Sequence, residues 1–287
     1  MLQLIKGVLT TLTLVLNTLI GCSLMLPVAL VKLLVPWRPM RVLCDRWING
    51  VASSWIAVNS AWMTTVGSTV WDVQGLEELR PDGWYLLASN HQSWVDILVL
   101  QHVFNRRIPL LKFFLKKELI WVPVIGLAWW ALDFPFMQRR GGARGAEDLA
   151  RARAACEKFR RVPTTVINFL EGTRFTPAKQ RSQSSPHARL LKPKVGGIAT
   201  AMATLGDRFE TLLDVTIAYP DGPPTFWQML SGQVHRVIVR VATVPIPHDF
   251  TVADYTSDPV HRQRMQQWVN AMWAEKDALL QRLVPQR

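Results

Sequence analysis

Residues 85–96, YLLASNHQSWVD, predict a strand that runs into a polar turn and then into a helix. The apolar start favours a buried β-strand, and residues 95–104 continue as an apolar stretch of helical length. In open α/β sheets the functional side chains gather where the strands end. We therefore expect His91 and Asp96, which follow this strand, to lie at such an edge.

His91 and Asp96 form an HxxxxD pattern that suits acid–base chemistry. A histidine can take a proton from an attacking hydroxyl near neutral pH. A carboxylate partner fixes the tautomer of the ring and stabilises the imidazolium. The same residues also fit a capping box, Ser93-x-x-Asp96, in which Asp96 only binds backbone N–H groups. His91 can equally be a loop histidine without function.

The remaining chain alternates between strand-like and helix-like segments, which indicates an α/β domain with a largely parallel sheet. The predicted strands are residues 69–73, 85–88, 164–169, 212–219 and 234–244, and the predicted helices are 95–104, 144–161, 197–205 and 259–283. The last helix has Asp258 as its cap and Pro259 at its first position. Its predicted apolar face carries Trp268, Met272, Leu279 and Leu283.

An uncharged segment near the N-terminus predicts a membrane anchor. Residues 8–31 contain no charged side chain, and 24 residues are enough to cross about 30 Å of hydrocarbon. A secretory signal is the alternative, but its apolar region is shorter, about 7–15 residues. A second uncharged stretch, 47–71, is weaker and predicts an interfacial or re-entrant helix. The alternative is a second crossing, which would place the rest of the chain on the other side of the membrane. We expect a membrane segment at 1–71 and a catalytic domain at 72–287.

Charge and composition favour a membrane surface. The chain of 287 residues has a formal charge of +12 and contains 13 Trp but three Tyr. Trp concentrates at membrane interfaces. The basic residues after the first apolar segment predict a cytoplasmic catalytic domain on the inner membrane. A membrane-tethered nucleic-acid-binding protein is the rival class, but no nucleic-acid-binding motif is visible, so we expect no nucleic-acid partner. Three scattered cysteines predict neither a disulfide framework nor a metal site.

Two further blocks carry polar chemistry. Glu171-Gly172-Thr173-Arg174 follows the predicted strand at 164–169. Gly172 permits a tight turn, and Arg174 can hold a phosphate with its planar fork. A solvated turn is the alternative. Residues 134–139, FPFMQR, end an apolar run at Arg139, which is also typical of a buried strand leaving the core.

Taken together, these blocks resemble the 1-acyl-glycerol-3-phosphate O-acyltransferase family. NHQSWVD, FPFMQR, EGTR and TIAYP occur in the order of that family over most of the chain. The resemblance implies His91 as general base and Asp96 as its orienting partner. It also implies that Arg139, Glu171, Gly172, Thr173 and Arg174 bind the phosphate of the acceptor and hold the site together. It implies a mixed αβ sheet preceded by a membrane-embedded helical element.

The implied reaction moves a fatty acyl group from a thioester to the free hydroxyl of lysophosphatidic acid, giving phosphatidic acid. The donor would be acyl-CoA or acyl carrier protein, with no bound cofactor or metal, and membrane lipids as partners. Leu170 stands where the family usually has Pro, and Gln138 where many members have Asp. Both resemble branches that reacylate another lysophospholipid, so that acceptor class is the alternative. The apolar block 119–132 is either core or the lining of an acyl-chain groove.

Overall fold

A mixed six-stranded sheet organises the molecule. The computed structural model describes residues 1–134, 136–137, 154, 157–252 and 258–284. The strands are β1 Val70–Gln74, β2 Tyr85–Ser89, β3 Leu111–Phe113, β4 Leu115–Lys116, β5 Phe136–Met137, β6 Thr165–Phe169, β7 Thr211–Ala218 and β8 Arg236–Val244. The five predicted strands are all present, with ends shifted by no more than two residues.

The strand order of the main sheet is β1-β8-β7-β2-β6-β3, and β4 pairs with β5 in a separate ribbon. In the main sheet all neighbours are parallel except β7 and β8, which run antiparallel. The predicted α/β class with a mixed, largely parallel sheet is therefore confirmed. The edge strand β3 is absent from the prediction because three residues are too few for a periodic pattern.

Helices cover both faces of the sheet. They are α1 Leu2–Leu34, α2 Arg38–Thr65, α3 Val95–Phe104, α4 Ile125–Ala131, α5 Pro177–Ser182, α6 Gly196–Leu205, α7 Phe226–Leu230, α8 Asp249–Val252 and α9 Pro259–Leu283, with 3₁₀ turns at Lys117–Trp121 and Lys158–Arg161. Leu87 of β2 packs on one apolar core, and its neighbours Leu86 and Ala88 pack on the other. A strand buried on both faces needs a continuous apolar run, which explains the sequence of β2.

Helices α1 and α2 form an antiparallel hairpin that packs against the sheet domain. Asn17 donates from Nδ2 to Asn59 Oδ1 at 3.0 Å, and Trp55 Nε1 donates to Thr18 Oγ1 at 3.1 Å. Within the described part of the chain, α1 alone is long and apolar enough to cross a membrane. The second predicted segment, 47–71, differs from the structure at both ends. Helix α2 begins earlier, at Arg38, and the last residues of that segment belong to β1.

Helix α9 matches its predicted bounds and cap. The Asp258 carboxylate accepts hydrogen bonds from the backbone N–H groups of Val260 and His261. The buried face, however, is rotated from the predicted stripe: of the four predicted residues Met272 alone is fully buried. The centre of the face includes Lys276, whose Nζ lies 2.7 Å from Asp214. Because Lys276 is charged, a search for apolar residues at helical spacing does not find the buried face of α9.

The predicted helix at 144–161 lies mostly outside the described residues. The structure describes only residues 154 and 157–161 of that range. The last four residues, Lys158–Arg161, form a 3₁₀ turn. This turn leads into β6, the strand that ends next to the EGTR block.

Candidate active site

His91 and Asp96 meet at the carboxyl end of β2. The His91 Nδ1 atom lies 2.9 Å from Asp96 Oδ2. Asp96 is in the first turn of α3 and has no exposed surface, whereas the His91 ring keeps about a tenth of its side chain exposed. The strand–turn–helix expected from residues 85–96 therefore brings the two side chains together.

The Asp96 carboxylate also binds the turn that precedes its own helix. Its Oδ2 atom accepts the backbone N–H of Gln92 at 2.6 Å and of Ser93 at 2.9 Å. The second bond is one half of the capping box, while the Ser93 hydroxyl accepts the N–H of Val95 instead. Asp96 thus caps the helix and contacts His91 with the same oxygen. The two interpretations of Asp96 are therefore not mutually exclusive, because one carboxylate oxygen makes both sets of contacts.

Tyr219 is a third partner of Asp96 and was not singled out by the sequence analysis. Its hydroxyl donates to Asp96 Oδ1 at 2.6 Å. Burial and the adjacent Asp96 carboxylate raise the pKa of Tyr219 above its ordinary value, so the hydroxyl stays protonated. Tyr219 directly follows β7, and the side-chain amide of Asn90 fixes that end of the strand by pairing with both backbone groups of Ile217. The signal available in the sequence was the TIAYP block.

Glu171 connects the EGTR block to the turn that carries His91. Its Oε1 accepts the backbone N–H of His91 at 2.8 Å, and its Oε2 accepts that of Leu191 at 2.9 Å. Burial raises the pKa of Glu171 to about 8, although the two N–H donors oppose this shift. Both hydrogen bonds come from backbone N–H groups, and Glu171 does not line the cavity of His91. Glu171 therefore stabilises the turn that carries His91.

The loop after β6 supports the same turn. The His91 ring stacks on Phe169 at 4.0 Å between ring centres. Gly172 adopts φ +66°, a conformation that side-chain-bearing residues rarely take, and Phe175 N–H donates to His91 O at 2.7 Å. The Gly172 turn is thus a structural requirement for bringing the EGTR block beside His91.

Thr173 and Arg174 lie on the exposed rim of the site. The guanidinium of Arg174 stands 4.9 Å from the ring centre of Trp94, and Thr173 Oγ1 accepts from Lys179 Nζ at 2.8 Å. Of the predicted site residues the structure brings together His91, Asp96, Glu171, Gly172, Thr173 and Arg174. Arg139 lies outside the described residues.

A cavity of about 450 Å³ opens at His91 and Arg174. A second cavity, of about 520 Å³ and lined almost entirely by apolar side chains, lies beside it and is bordered by the α1–α2 hairpin. Both cavities are lined by Trp94, Ile97, Gln101, Trp129 and Phe134. The arrangement places His91 and a cationic rim in a cavity that shares one wall with a neighbouring apolar cavity. Among the described residues, no three His, Cys, Asp or Glu side chains cluster as metal ligands would.

Comparison with known proteins gives the family. The model of the Acyltransferase family matches residues 70–220, which is 151 of the 287 residues and includes all the site residues above. Lysocardiolipin acyltransferase 1 of Danio rerio is 29% identical, over 98% of this chain and 73% of that protein. 1-acyl-sn-glycerol-3-phosphate acyltransferase 3 of Arabidopsis thaliana is 28% identical, over 69% of this chain and 53% of that protein. The chain thus spans only about half of the plant relative's length.

A solved structure shares the fold. The crystal structure of the 1-acyl-sn-glycerophosphate (LPA) acyltransferase PlsC from Thermotoga maritima aligns with a TM-score of 0.53 and 17% identity. The alignment covers 95% of this chain and 98% of that chain, so it includes the helical hairpin as well as the sheet. With its family match over more than half of its length, this chain belongs to the acyltransferase family of enzymes.

Proposed function

We propose that this protein transfers a fatty acyl group from an acyl thioester to the free hydroxyl of lysophosphatidic acid, forming phosphatidic acid. The observation that carries the proposal is the His91–Asp96 pair, 2.9 Å apart, at the junction of a cationic rim and an apolar cavity. The donor is acyl-CoA or acyl carrier protein, and the reaction uses no bound cofactor.

His91 acts as the general base. With Nδ1–H donated to Asp96, the Nε2 atom carries the free lone pair and takes the proton of the acceptor hydroxyl. The hydroxyl oxygen then bonds to the thioester carbonyl carbon, and the carbon–sulfur bond breaks. The leaving thiolate takes the proton back from the imidazolium. The ester product and a free thiol result, and the enzyme is unchanged.

Asp96 and Tyr219 hold the histidine ready. The Asp96 carboxylate stabilises the imidazolium that forms during the reaction. A buried carboxylate needs donors on both oxygens to stay charged, and Tyr219 supplies the donor to Oδ1. Tyr219 is therefore a positioning residue that acts through Asp96.

Arg174 binds the phosphate of the acceptor, together with Arg139 and the hydroxyl of Thr173. The exposed Arg174 side chain lines the cavity of His91, with its guanidinium over the Trp94 ring, and its planar fork of N–H donors suits a phosphate. Fixing the phosphate fixes the hydroxyl near Nε2, and such positioning supplies several kcal/mol of the barrier. Glu171 and Gly172 serve this step by shaping the turn.

The acyl chain occupies the apolar cavity toward the hairpin. Its walls come from α1, α2, α3 and α4, and residues 125–132 of the predicted apolar block contribute Ile125, Ala128, Trp129 and Leu132. A ligand that is largely hydrocarbon gains from leaving water for such a space. This supports the groove interpretation of the apolar block.

The hairpin associates the enzyme with the membrane, on the cytoplasmic face of the inner membrane. Leu9, Leu12 and Leu16 are about 60% exposed, so α1 presents an apolar surface to its surroundings. The other side of α1 is attached to the sheet domain near both ends, through Gly7 against Trp227 and Lys32 against Asp133. A helix attached to the domain near both of its ends favours a hairpin that enters the membrane surface over the single crossing predicted from the sequence.

Another lysophospholipid is the second candidate acceptor. The fish relative, whose similarity covers 98% of this chain, is named for lysocardiolipin. The phosphate and the free hydroxyl that the site needs are common to both acceptors. The chemistry of His91 is the same for either one.

An acceptor panel tests the proposal. Detergent-solubilised protein is incubated with one labelled acyl-CoA and, separately, lysophosphatidic acid, lysophosphatidylcholine, lysophosphatidylglycerol or lysocardiolipin. Products are identified by lipid mass spectrometry, with His91→Ala as the blank. We expect labelled phosphatidic acid as the main product and none from the variant. Preferred labelling of any of the other three lysolipids would select the second candidate. No labelled product with any acceptor, from acyl-CoA or from the acyl carrier protein thioester in a repeat of the panel, would refute both.

A further inference from the structure

A separate cavity of about 260 Å³ lies where the turn of the hairpin meets the sheet domain. It is lined by Ala29, Lys32, Leu33, Arg41, Trp130, Ala131, Asp133, Lys158 and Arg161. None of these residues lines the cavity of His91 or the apolar cavity beside it. Whatever it binds therefore does not occupy the space assigned to the reacting substrates.

An ionic cluster forms the floor of this cavity and joins the hairpin to the domain. Lys32 Nζ lies 2.7 Å from Asp45 and 2.6 Å from Asp133. Arg161 Nε lies 2.7 Å from Asp45, and its guanidinium also contacts Asp133. These four residues neutralise one another, two cations against two carboxylates.

Further cations surround this neutral group. Lys158 Nζ approaches Asp133 only to 3.6 Å, and the buried Nε atom of the Arg41 side chain has no hydrogen-bond partner among the described residues. Burial lowers the pKa of Lys112 to about 8, against the attraction of Asp133 and Asp45, so Lys112 is mostly charged at neutral pH. Among the described residues, five cations thus lie near two carboxylates. A buried cation without a counter-charge is costly, as at Arg41, and an anion offsets that cost.

Apolar side chains border the same cavity on its outer side. Leu33 and Trp130 line the cavity and are exposed, and Leu30, Leu34 and Trp37, also exposed, lie near Leu33 in the chain. A cationic recess edged by exposed Leu and Trp matches the boundary between phosphate groups and hydrocarbon in a membrane. Free phosphate would use the cations alone and leave these apolar side chains in water.

We propose that this cavity binds the phosphate of an anionic membrane phospholipid, at a site distinct from the one that holds the reacting acceptor. The Arg41 guanidinium and the Lys158 ammonium contact the phosphate, and the acyl chains of the lipid lie along the exposed apolar border. The bound lipid supplies the missing negative charge and fastens the hairpin to the sheet domain. The proposal rests on the membrane association argued under the proposed function.

Binding is measured without reference to turnover. Protein in neutral detergent is titrated with dioctanoyl phosphatidylglycerol, and the dissociation constant is read by calorimetry. Dioctanoyl phosphatidylcholine and inorganic phosphate are titrated in parallel. We expect binding of the anionic lipid, and at least tenfold weaker binding of both others. Equal binding of phosphatidylcholine, or inorganic phosphate as tight as the lipid, would overturn the assignment.

Variants locate the bound lipid. Arg41→Gln removes one charge without touching the four-residue ionic cluster, and should weaken lipid binding about tenfold. Lys158→Gln, at a half-exposed side chain, provides a second variant that should fold and should act in the same direction. Arg46→Gln is the matched control, since Arg46 is exposed on the same helix and does not line the cavity, and it should bind as wild type.

Arg174→Ala distinguishes this cavity from the active site and should retain the lipid. The reverse pattern, loss in Arg174→Ala and wild-type affinity in Arg41→Gln and Lys158→Gln, would place the lipid at the active site and overturn the proposal. Displacement of the lipid by acyl-CoA would overturn it as well, by assigning the cavity to the donor. Because none of these readouts needs acyl transfer, a failure of the proposed function would appear separately, in the acceptor panel.

Discussion

Asp96 collects four contacts on one buried carboxylate: the His91 ring, two backbone N–H groups and the Tyr219 hydroxyl. An isolated carboxylate with no exposed surface would be expensive, whereas one with this set of donors is stable as a charge. The same contacts hold the carboxylate still, so the ring it supports keeps one orientation. At this residue, folding and the proposed chemistry depend on the same atoms.

Asp96→Asn separates the charge from the hydrogen bonds. The Asn oxygen can still accept the N–H groups of Gln92 and Ser93, and its amide can donate to the Tyr219 oxygen, so the fold should persist. The charge facing the imidazolium is lost, and kcat should fall about 10³- to 10⁴-fold. Kinetics and thermal unfolding of the same preparation provide the measurement.

Ser93→Ala is the control for that variant. It removes the hydroxyl that accepts Val95 N–H, and should cost about 1 kcal/mol of stability while most activity remains. If Asp96→Asn kept its activity and Ser93→Ala lost it, the turn and not the carboxylate would be the important feature.

Tyr219→Phe tests the positioning role. The change removes the donor to Asp96 Oδ1 and little volume, and kcat should fall about tenfold or more. The KM of the acceptor should change little, because Tyr219 acts through Asp96 and does not line the cavity of His91. A loss of thermal stability with an unchanged kcat would leave Tyr219 as a packing residue.

Arg174→Ala tests the phosphate contact. The variant should raise the KM of the acceptor, and lower kcat to the extent that phosphate binding positions the hydroxyl. Arg174→Lys should also be impaired, because an ammonium cannot reproduce the planar fork. Steady-state kinetics at fixed donor concentration is the measurement. Wild-type values for both variants would remove Arg174 from the site.

At the scale of elements, the size and shape of the apolar cavity depend on how α1, α2 and α4 pack around α3. Ala52 on α2 is buried and lines this cavity. Ala52→Leu should shorten the space and shift the preferred acyl donor toward shorter chains. Rates with a series of acyl-CoA lengths provide the measurement, and Ala61→Leu, at an exposed position of the same helix, is the control. An unchanged length preference in Ala52→Leu would place the acyl chain elsewhere.

The elements that could be predicted are those whose residues carry a local signal. His91, Asp96 and the EGTR block follow apolar runs and precede turn residues, so the ends of β2 and β6 were visible in the sequence. Tyr219 was not, because its contact with Asp96 depends on the register between β2 and β7, in which Ser89 faces Val215. Register is decided by distant pairing and leaves no local pattern.

Two further differences between the predicted and the observed elements have similar causes. Strand β3 is three residues long, which gives too short a window for any period. On α9 the buried Lys276 interrupts the apolar stripe, because it pairs with Asp214 and donates to Val215 O. A lysine at a core position is stable only with such partners, and those partners lie on β7, far along the chain.

At the scale of the whole molecule, the hairpin and the sheet domain form one body through contacts at both ends of α1. If the hairpin enters the membrane without crossing it, tags at the N-terminus and the C-terminus should both be protected from protease added outside intact spheroplasts. Lysis should expose both tags. Digestion of the N-terminal tag alone would show a single crossing, and digestion of the C-terminal tag would place the sheet domain outside the cytoplasm.

The pairing of β1 with β8 has a consequence for folding during synthesis on the ribosome. Residues 75–235, a stretch of 161 residues, separate the two strands in the chain. A ribosome adding about 5–20 residues per second needs roughly ten seconds or more to make that stretch. During this interval α1 and α2 have already been synthesised, whereas β8, the strand that pairs with β1, has not. If the hairpin is the membrane anchor proposed above, α1 and α2 can therefore reach the bilayer before the last strand completes the sheet.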